Sequence, residues 1–229
     1  MSEYNAPNLE WGAQTLPAER NRVLRNTYSL LALSMLPTVL GAWLGLHLPV
    51  MQALRGGLGL LVFLGGAFGF MFAIEKNKNS AAGVPILLAF TFFMGLMLSR
   101  LIGAVLGLSN GAQLIMTAMG GTAGVFGVMA MLAGMVKRDL SGLGKWLFAG
   151  MLIVFFGAII NVFVGSGVAM MVISTLCIAI FSLYMLYDIK RIIDGGETNY
   201  ISATLALYLD IYNVFQSLLA MLGIFGGED

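Results

Sequence analysis

Seven stretches of about twenty apolar residues, joined by short polar connections, leave this chain few ways to fold. A helix rises about 1.5 Å per residue, so about 20 apolar residues cross the ~30 Å hydrocarbon layer of a membrane. The stretches lie near 27–48, 56–74, 83–106, 112–136, 146–165, 168–187 and 203–225. Backbone groups inside lipid must find their hydrogen bonds within the segment, which makes each stretch a helix. The predicted fold is therefore an all-α integral membrane protein, a seven-transmembrane-helix bundle over 27–229, preceded by a polar tail over 1–26. Of the 229 residues 59% are hydrophobic and only 10% charged, far from the balance of a soluble domain. The opening MSEYNAPNLEWGAQTLPAERNRVLR is polar and contains two prolines. It has no apolar core or small-residue cleavage site, and reads as a soluble tail, not a signal peptide.

The few charges orient the bundle. Arg20, Arg22, Arg25, Lys76, Lys78, Lys137, Arg138, Lys145, Lys190 and Arg191 fall on alternate connections, against Arg55 and Arg100 on the others. Cytoplasmic loops retain positive charge, so ten against two predicts a cytoplasmic amino terminus and a periplasmic carboxyl terminus. A net charge of +1 implies no general attraction to nucleic acid. The single cysteine, Cys177, excludes an internal disulfide, and no Cys or His spacing surrounds it to make a thiolate metal site. No resident cofactor is expected.

Among the 30 glycines, Gly65 with Gly69, Gly103 with Gly107 and Gly120 with Gly124 stand four apart inside spans, a spacing that predicts close helix approach there. GGLGLLVFLGG lies within a span and has no Gly-Lys-Ser/Thr after it, so it is not a phosphate loop. The 16 methionines read as adaptable packing, and Cys177 as a small buried filler. Pro37 is expected to kink the first span, and Pro85 to sit in the first turn of the third.

Most acids belong to water: Glu3, Glu10 and Glu19 in the tail, Glu75 and Asp139 at helix ends, Asp194 and Glu197 in a turn, Glu228 and Asp229 at the terminus. Asp188 and Asp210 do not. Asp188 closes the sixth span after FSLYMLY, and Asp210 lies within LALYLDIYNVFQSLLAMLGIF. Gly195 and Gly196 break the helix between them, and Thr198 or Asn199 can cap the next. A hairpin folded about residue 199 would set Asp188 and Asp210 at matching depth. Along the seventh span, Ala203, Ala206, Asp210, Asn213, Ser217 and Ala220 form a small, polar stripe predicted to face inward. Leu205, Leu209, Tyr212 and Leu219 form the face predicted to meet lipid.

A lone carboxylate at this depth costs at least about 2.5 kcal/mol, so it must be paired, hydrated or neutralised. Two together are expected to share a proton and titrate as a unit. Losing that proton would bring repulsion that loosens the helices and admits water or a cation. Asp188, Asp210 and Asn213 are thus the candidate residues for an ion pathway and pH sensing, and their oxygens are of the kind calcium prefers. The alternative is that each aspartate bonds a nearby tyrosine or caps a helix end, with Lys190 or Arg191 reaching past it. Arg100 reads as an interfacial anchor.

These residues carry a resemblance. Seven spans, KRDLSGLGKWLFAG entering the fifth, LYMLYDIKRII closing the sixth, GGETNYISATLALYLDIYNVFQSLL in the seventh and the tail ending VLRNTY resemble the Bax inhibitor-1 family, also called the transmembrane Bax-inhibitor-motif family, and within it the bacterial YccA branch. The resemblance covers the chain from about residue 20. It implies a multi-pass protein of the bacterial inner membrane. In the wider bacterial family it implies a pH-sensitive calcium leak controlled by an aspartate pair, which Asp188 and Asp210 match, with calcium a transient occupant. For the YccA branch it implies a partner of the membrane-bound, ATP-dependent protease FtsH, which would grip the cytoplasmic tail near Arg20, Arg22 and Arg25. Leak relatives carry an arginine at the cytoplasmic end of the second helix. FMFAIEKNKN has none, and Lys76 is the cation that could take its place.

Enzymatic readings fare poorly. LYLD lacks the Gly-x-Gly-Asp of intramembrane aspartyl proteases and no Pro-Ala-Leu follows. Ser166 in GSG and His47 stand on distant segments without catalytic spacing.

Overall fold

The computed structural model describes residues 17–54 and 56–226, and all regular structure among them is helical. The rest of the expected tail with Glu3 and Glu10, together with Arg55, Glu228 and Asp229, lies outside the described residues. In chain order the helices are α1 (Pro17–His47), α2 (Pro49–Ala53), α3 (Gly56–Asn77), α4 (Gly83–Leu106), α5 (Gly111–Met135), α6 (Leu143–Val164), α7 (Gly167–Ile193) and α8 (Tyr200–Phe225). All but α2 are long and apolar enough to cross a membrane.

The seven expected spans are present, but several helices outrun them. Helix α1 starts at Pro17, not near 27, and its 31 residues span about 46 Å, more than the hydrocarbon thickness. Its first turns, PAERNRVLRN, are polar yet rich in good helix formers, and proline is tolerated at a helix start. Helix α7 likewise continues past Tyr187 to Ile193. Hydropathy locates lipid; it does not locate the end of a helix. Helix α1 continues across Pro37, and Pro85 sits in the first turn of α4 as expected.

Helix α8 is the centre of the bundle, touching α1, α3, α4, α5 and α7. Around it packs a core that includes Ile74, Leu87, Phe90, Met94, Ile189 and Leu207. Helices α5 and α6 form the periphery and turn Met116, Met119, Met131, Phe156, Ile160 and Phe163 outward. Most methionines of α5 therefore face lipid, where the tails are as apolar as a protein interior and nothing drives them inside.

The closest helix crossing is that of α1 on α4. A methyl group on Gly41 would collide with the Phe92 carbonyl oxygen, and one on Gly95 with the Thr38 carbonyl oxygen. These two glycines, each facing backbone, permit the approach. The predicted positions do not: a Cβ on Gly65, Gly69, Gly120 or Gly124 would meet nothing within 4 Å, and one on Gly103 would meet only a Leu46 methyl at 3.2 Å. Spacing of four identifies residues that share a face, not the face that meets a neighbour.

Candidate functional site

The two aspartates come together. Asp188 on α7 and Asp210 on α8 have carboxyl groups within hydrogen-bonding reach of each other. Asp210 is 3% exposed, and Asp188 is partly buried. The connection that brings them together is lopsided. Asp188 lies five residues before the end of α7 at Ile193, Asp210 ten after the start of α8 at Tyr200. The Cα–Cβ bonds of a helix tilt toward its own amino terminus, so on antiparallel neighbours the two side chains lean toward one another. That lean closes a mismatch of about 7 Å in helix rise.

Two ionised carboxylates are acceptors only. Asp210 Oδ2 is a buried oxygen with no hydrogen-bond donor among the described residues. Tyr184, four residues before Asp188 on the same face of α7, lies within the electrostatic reach of both carboxyls. The spacing of four was the signal that could have placed Tyr184 in the site. Arg191 is the cation whose field reaches Asp188, with Glu197 opposing it. Lys76 is exposed at the end of α3, and the structure does not bring it into this group. Asn213 lies one turn beyond Asp210, but its side-chain amide donates to the Leu209 carbonyl oxygen of its own helix at 2.8 Å.

The connection beneath the pair is tied at several points. Arg191 Nε donates to the Gly196 carbonyl oxygen at 3.3 Å, and its Nη2 pairs with Glu197 at 3.5 Å. The other Glu197 oxygen accepts the Asn199 N–H at 2.9 Å. Asn199, and not Thr198, caps α8: its Oδ1 accepts the N–H groups of Ile201 and Ser202. Its Nδ2 reaches the α3–α4 connection, donating to Lys78 O at 3.1 Å and Asn79 Oδ1 at 2.8 Å. Gly195 takes φ +81°, a left-handed turn that suits glycine as the chain leaves α7.

Above the pair, α8 differs from the predicted amphipathic helix. Ala203, Ser217 and Ala220 are buried as expected, but so are Tyr212 and Leu219, assigned to lipid, while Ala206 and Asn213 are only partly buried. A central helix has neighbours on most of its circumference, so a single inward stripe underestimates its interior. The tyrosines are satisfied there. Tyr208 shares a 2.9 Å hydrogen bond with the Thr38 hydroxyl, and Tyr212 donates to Met94 O at 3.3 Å.

The connections bearing the predicted cytoplasmic cations meet at one end of the bundle. Arg20 and Arg22 line a cleft of about 300 Å³ with Glu19, Gly195, Glu197 and Tyr200, next to the α7–α8 connection. Arg25 is exposed on the same helix. Asp139, in the α5–α6 connection, accepts the Ser141 N–H and hydroxyl, each at 2.8 Å. The backbone bond first, then the hydroxyl, hold its carboxyl below the ordinary carboxylate range, and Lys190 adds a small pull the same way. Ser166 is the amino-terminal cap of α7, and His47 Nδ1 bonds the Trp43 carbonyl oxygen of α1. Among the described residues no three His, Cys, Asp or Glu side chains group to hold a metal ion.

Comparison with known proteins sets this geometry in a family. The family model described as "Inhibitor of apoptosis-promoting Bax1" matches residues 20–227. The chain is 37% identical over 203 residues to a protein of Escherichia coli K12 named "Modulator of FtsH protease YccA", covering 89% of this chain and 90% of that one. An E. coli O6:H1 protein named "Inner membrane protein YccA" matches to the same extent. An "Uncharacterized membrane protein" of Vibrio cholerae is 37% identical over 212 residues, 92% of this chain and 93% of that one.

Proposed function

The chain belongs to the Bax inhibitor family matched over residues 20–227, and from that premise we propose that it modulates the membrane protease FtsH by binding, not by catalysis. The observation that carries this reading is the 37% identity, over 89% of the chain, to the relative named a modulator of that protease. Orientation is part of the proposal. The cations gather at one end, and the positive-inside rule assigns that end, with the start of α1, to the cytoplasm. The polar turns of α1 bearing Arg20, Arg22 and Arg25 then stand clear of the hydrocarbon, where a cytoplasmic protease domain could take hold of them. Deleting residues 2–19 together with Arg20→Gln, Arg22→Gln and Arg25→Gln is expected to abolish copurification with FtsH while leaving the bundle folded. Undiminished copurification would sink the reading.

A second reading rests on the Asp188–Asp210 geometry, which supports a pH-sensitive cation leak. One proton between the carboxyls would give Asp210 Oδ2 the partner it lacks. Its loss would set two buried negative charges against each other and loosen α7 from α8. Two carboxylates fall short of the six to eight oxygens calcium takes, so a calcium ion would pass and not reside. In proteoliposomes, calcium flux is expected to depend on pH for the wild type and to lose that dependence in Asp210→Asn. Absence of flux in both proteins would refute the leak and leave the protease reading standing.

A further inference from the structure

At the end of the bundle away from the basic connections lies a cavity of about 940 Å³, bounded by the end of α1, α2, the start of α3 and the end of α4, and reaching α6 at Val162, α7 at Met170 and α8 at Gln216. Its walls are largely apolar, with Leu46, Met51, Leu60 and Phe63 among them. Among the described residues its polar side chains are few: Arg100, Gln216, Ser99, which donates to Leu96 O at 2.6 Å, and Tyr212, which donates to Met94 O. Among the described residues no acid lines it.

Arg100 lines this cavity while its side chain remains exposed. Its Nη1 lies 2.9 Å from where a Cβ on Gly59 would stand, so the guanidinium rests against α3 at that glycine. It forms no hydrogen bond or ion pair among the described residues. Its depth is that of the lipid headgroups. The neighbouring Ser99 packs on Gly45, between Trp43, 57% exposed, and His47 at the end of α1, and an exposed tryptophan near a helix end marks the membrane interface.

We propose that this cavity binds one anionic phospholipid, its phosphate held by Arg100 and the upper acyl chains lying against the apolar wall. The volume falls in the range of sites that enclose a ligand of several hundred daltons. Charge selects the headgroup. Among the described residues one cation, Arg100, with no acid beside it, complements a headgroup of net negative charge and offers nothing to the ammonium of a zwitterionic one. The apolar wall selects a lipid over free phosphate, which would leave that wall unfilled.

The test is native mass spectrometry of the intact protein in mild detergent, titrated with phosphatidylglycerol or phosphatidylcholine. The wild type is expected to retain one phosphatidylglycerol in preference to phosphatidylcholine. Arg100→Gln should weaken phosphatidylglycerol binding about five-fold, the effect of roughly one cation near an anionic lipid surface, and leave phosphatidylcholine unchanged. Lys137→Gln, an exposed cation at the other end, should change neither. Equal binding of the two lipids by the wild type would overturn the proposal whatever the variants do. So would an undiminished preference in Arg100→Gln, or displacement of the lipid by inorganic phosphate.

Discussion

At the scale of single residues, Asp210 shows how a buried acid depends on its partner. Replacing it with asparagine supplies an N–H toward Asp188 and removes one of two adjacent charges. Asp210→Asn is expected to match or exceed wild-type stability, by up to about 1 kcal/mol, in reversible unfolding from mixed micelles. Asp210→Ala, which supplies no donor and opens a void, should lower it by about 1–3 kcal/mol. Asp139 gives a pH dependence outside the bilayer with a definite sign. Its bonds to Ser141 lower its folded-state pKa, so their contribution is present above the ordinary carboxylate value. It is lost as pH falls through the lowered folded value. The protection factor of the Ser141 amide, its exchange rate relative to the intrinsic rate at the same pH, should therefore hold at neutral pH, fall only in strong acid, and be low throughout in Asp139→Ala, which removes the acceptor. That Asp188 and Asp210 stand out from the other acids was legible in the sequence, because a carboxylate in an apolar span needs an explanation. The roles of Arg191 and Glu197 were not, since they arise from a turn whose bonds form only when α7 and α8 are docked.

At the scale of elements, glycine spacing and glycine function part company. Gly41→Ala and Gly95→Ala each drive a methyl group into the opposing backbone, and each is expected to cost about 1–3 kcal/mol as α1 and α4 are forced apart. Gly65→Ala and Gly69→Ala point into open space and should change stability by no more than about 0.5 kcal/mol. Thermal unfolding in one detergent, comparing all four, separates the two groups. The extension of α1 to Pro17 is another property of an element that hydropathy conceals. Arginine, glutamate and alanine favour helix as well as leucine does, while only leucine favours lipid.

At the scale of the whole molecule, this is a multi-pass protein of the bacterial inner membrane, with seven apolar helices and relatives named for that location. Its orientation is testable with single cysteines placed after Cys177→Ser. Ser109→Cys, in the α4–α5 connection, should react with an impermeant maleimide in intact spheroplasts. Ser80→Cys, in the α3–α4 connection, should react only once the membrane is opened. The reverse pattern would invert the proposed topology. The sequence by itself determined the number of spans, the helical class, the family and the two acids to watch, because each follows from composition along one segment of chain. Only the tertiary structure decided that α8 is central, that Gly41 and Gly95 carry the tightest crossing, that most methionines of α5 face lipid, and that Arg191 rather than Lys76 stands near the aspartates. Each of these depends on which faces of different helices meet. In a membrane the outward and inward faces are equally apolar, so the hydrophobic pattern that would reveal this in a soluble protein is absent.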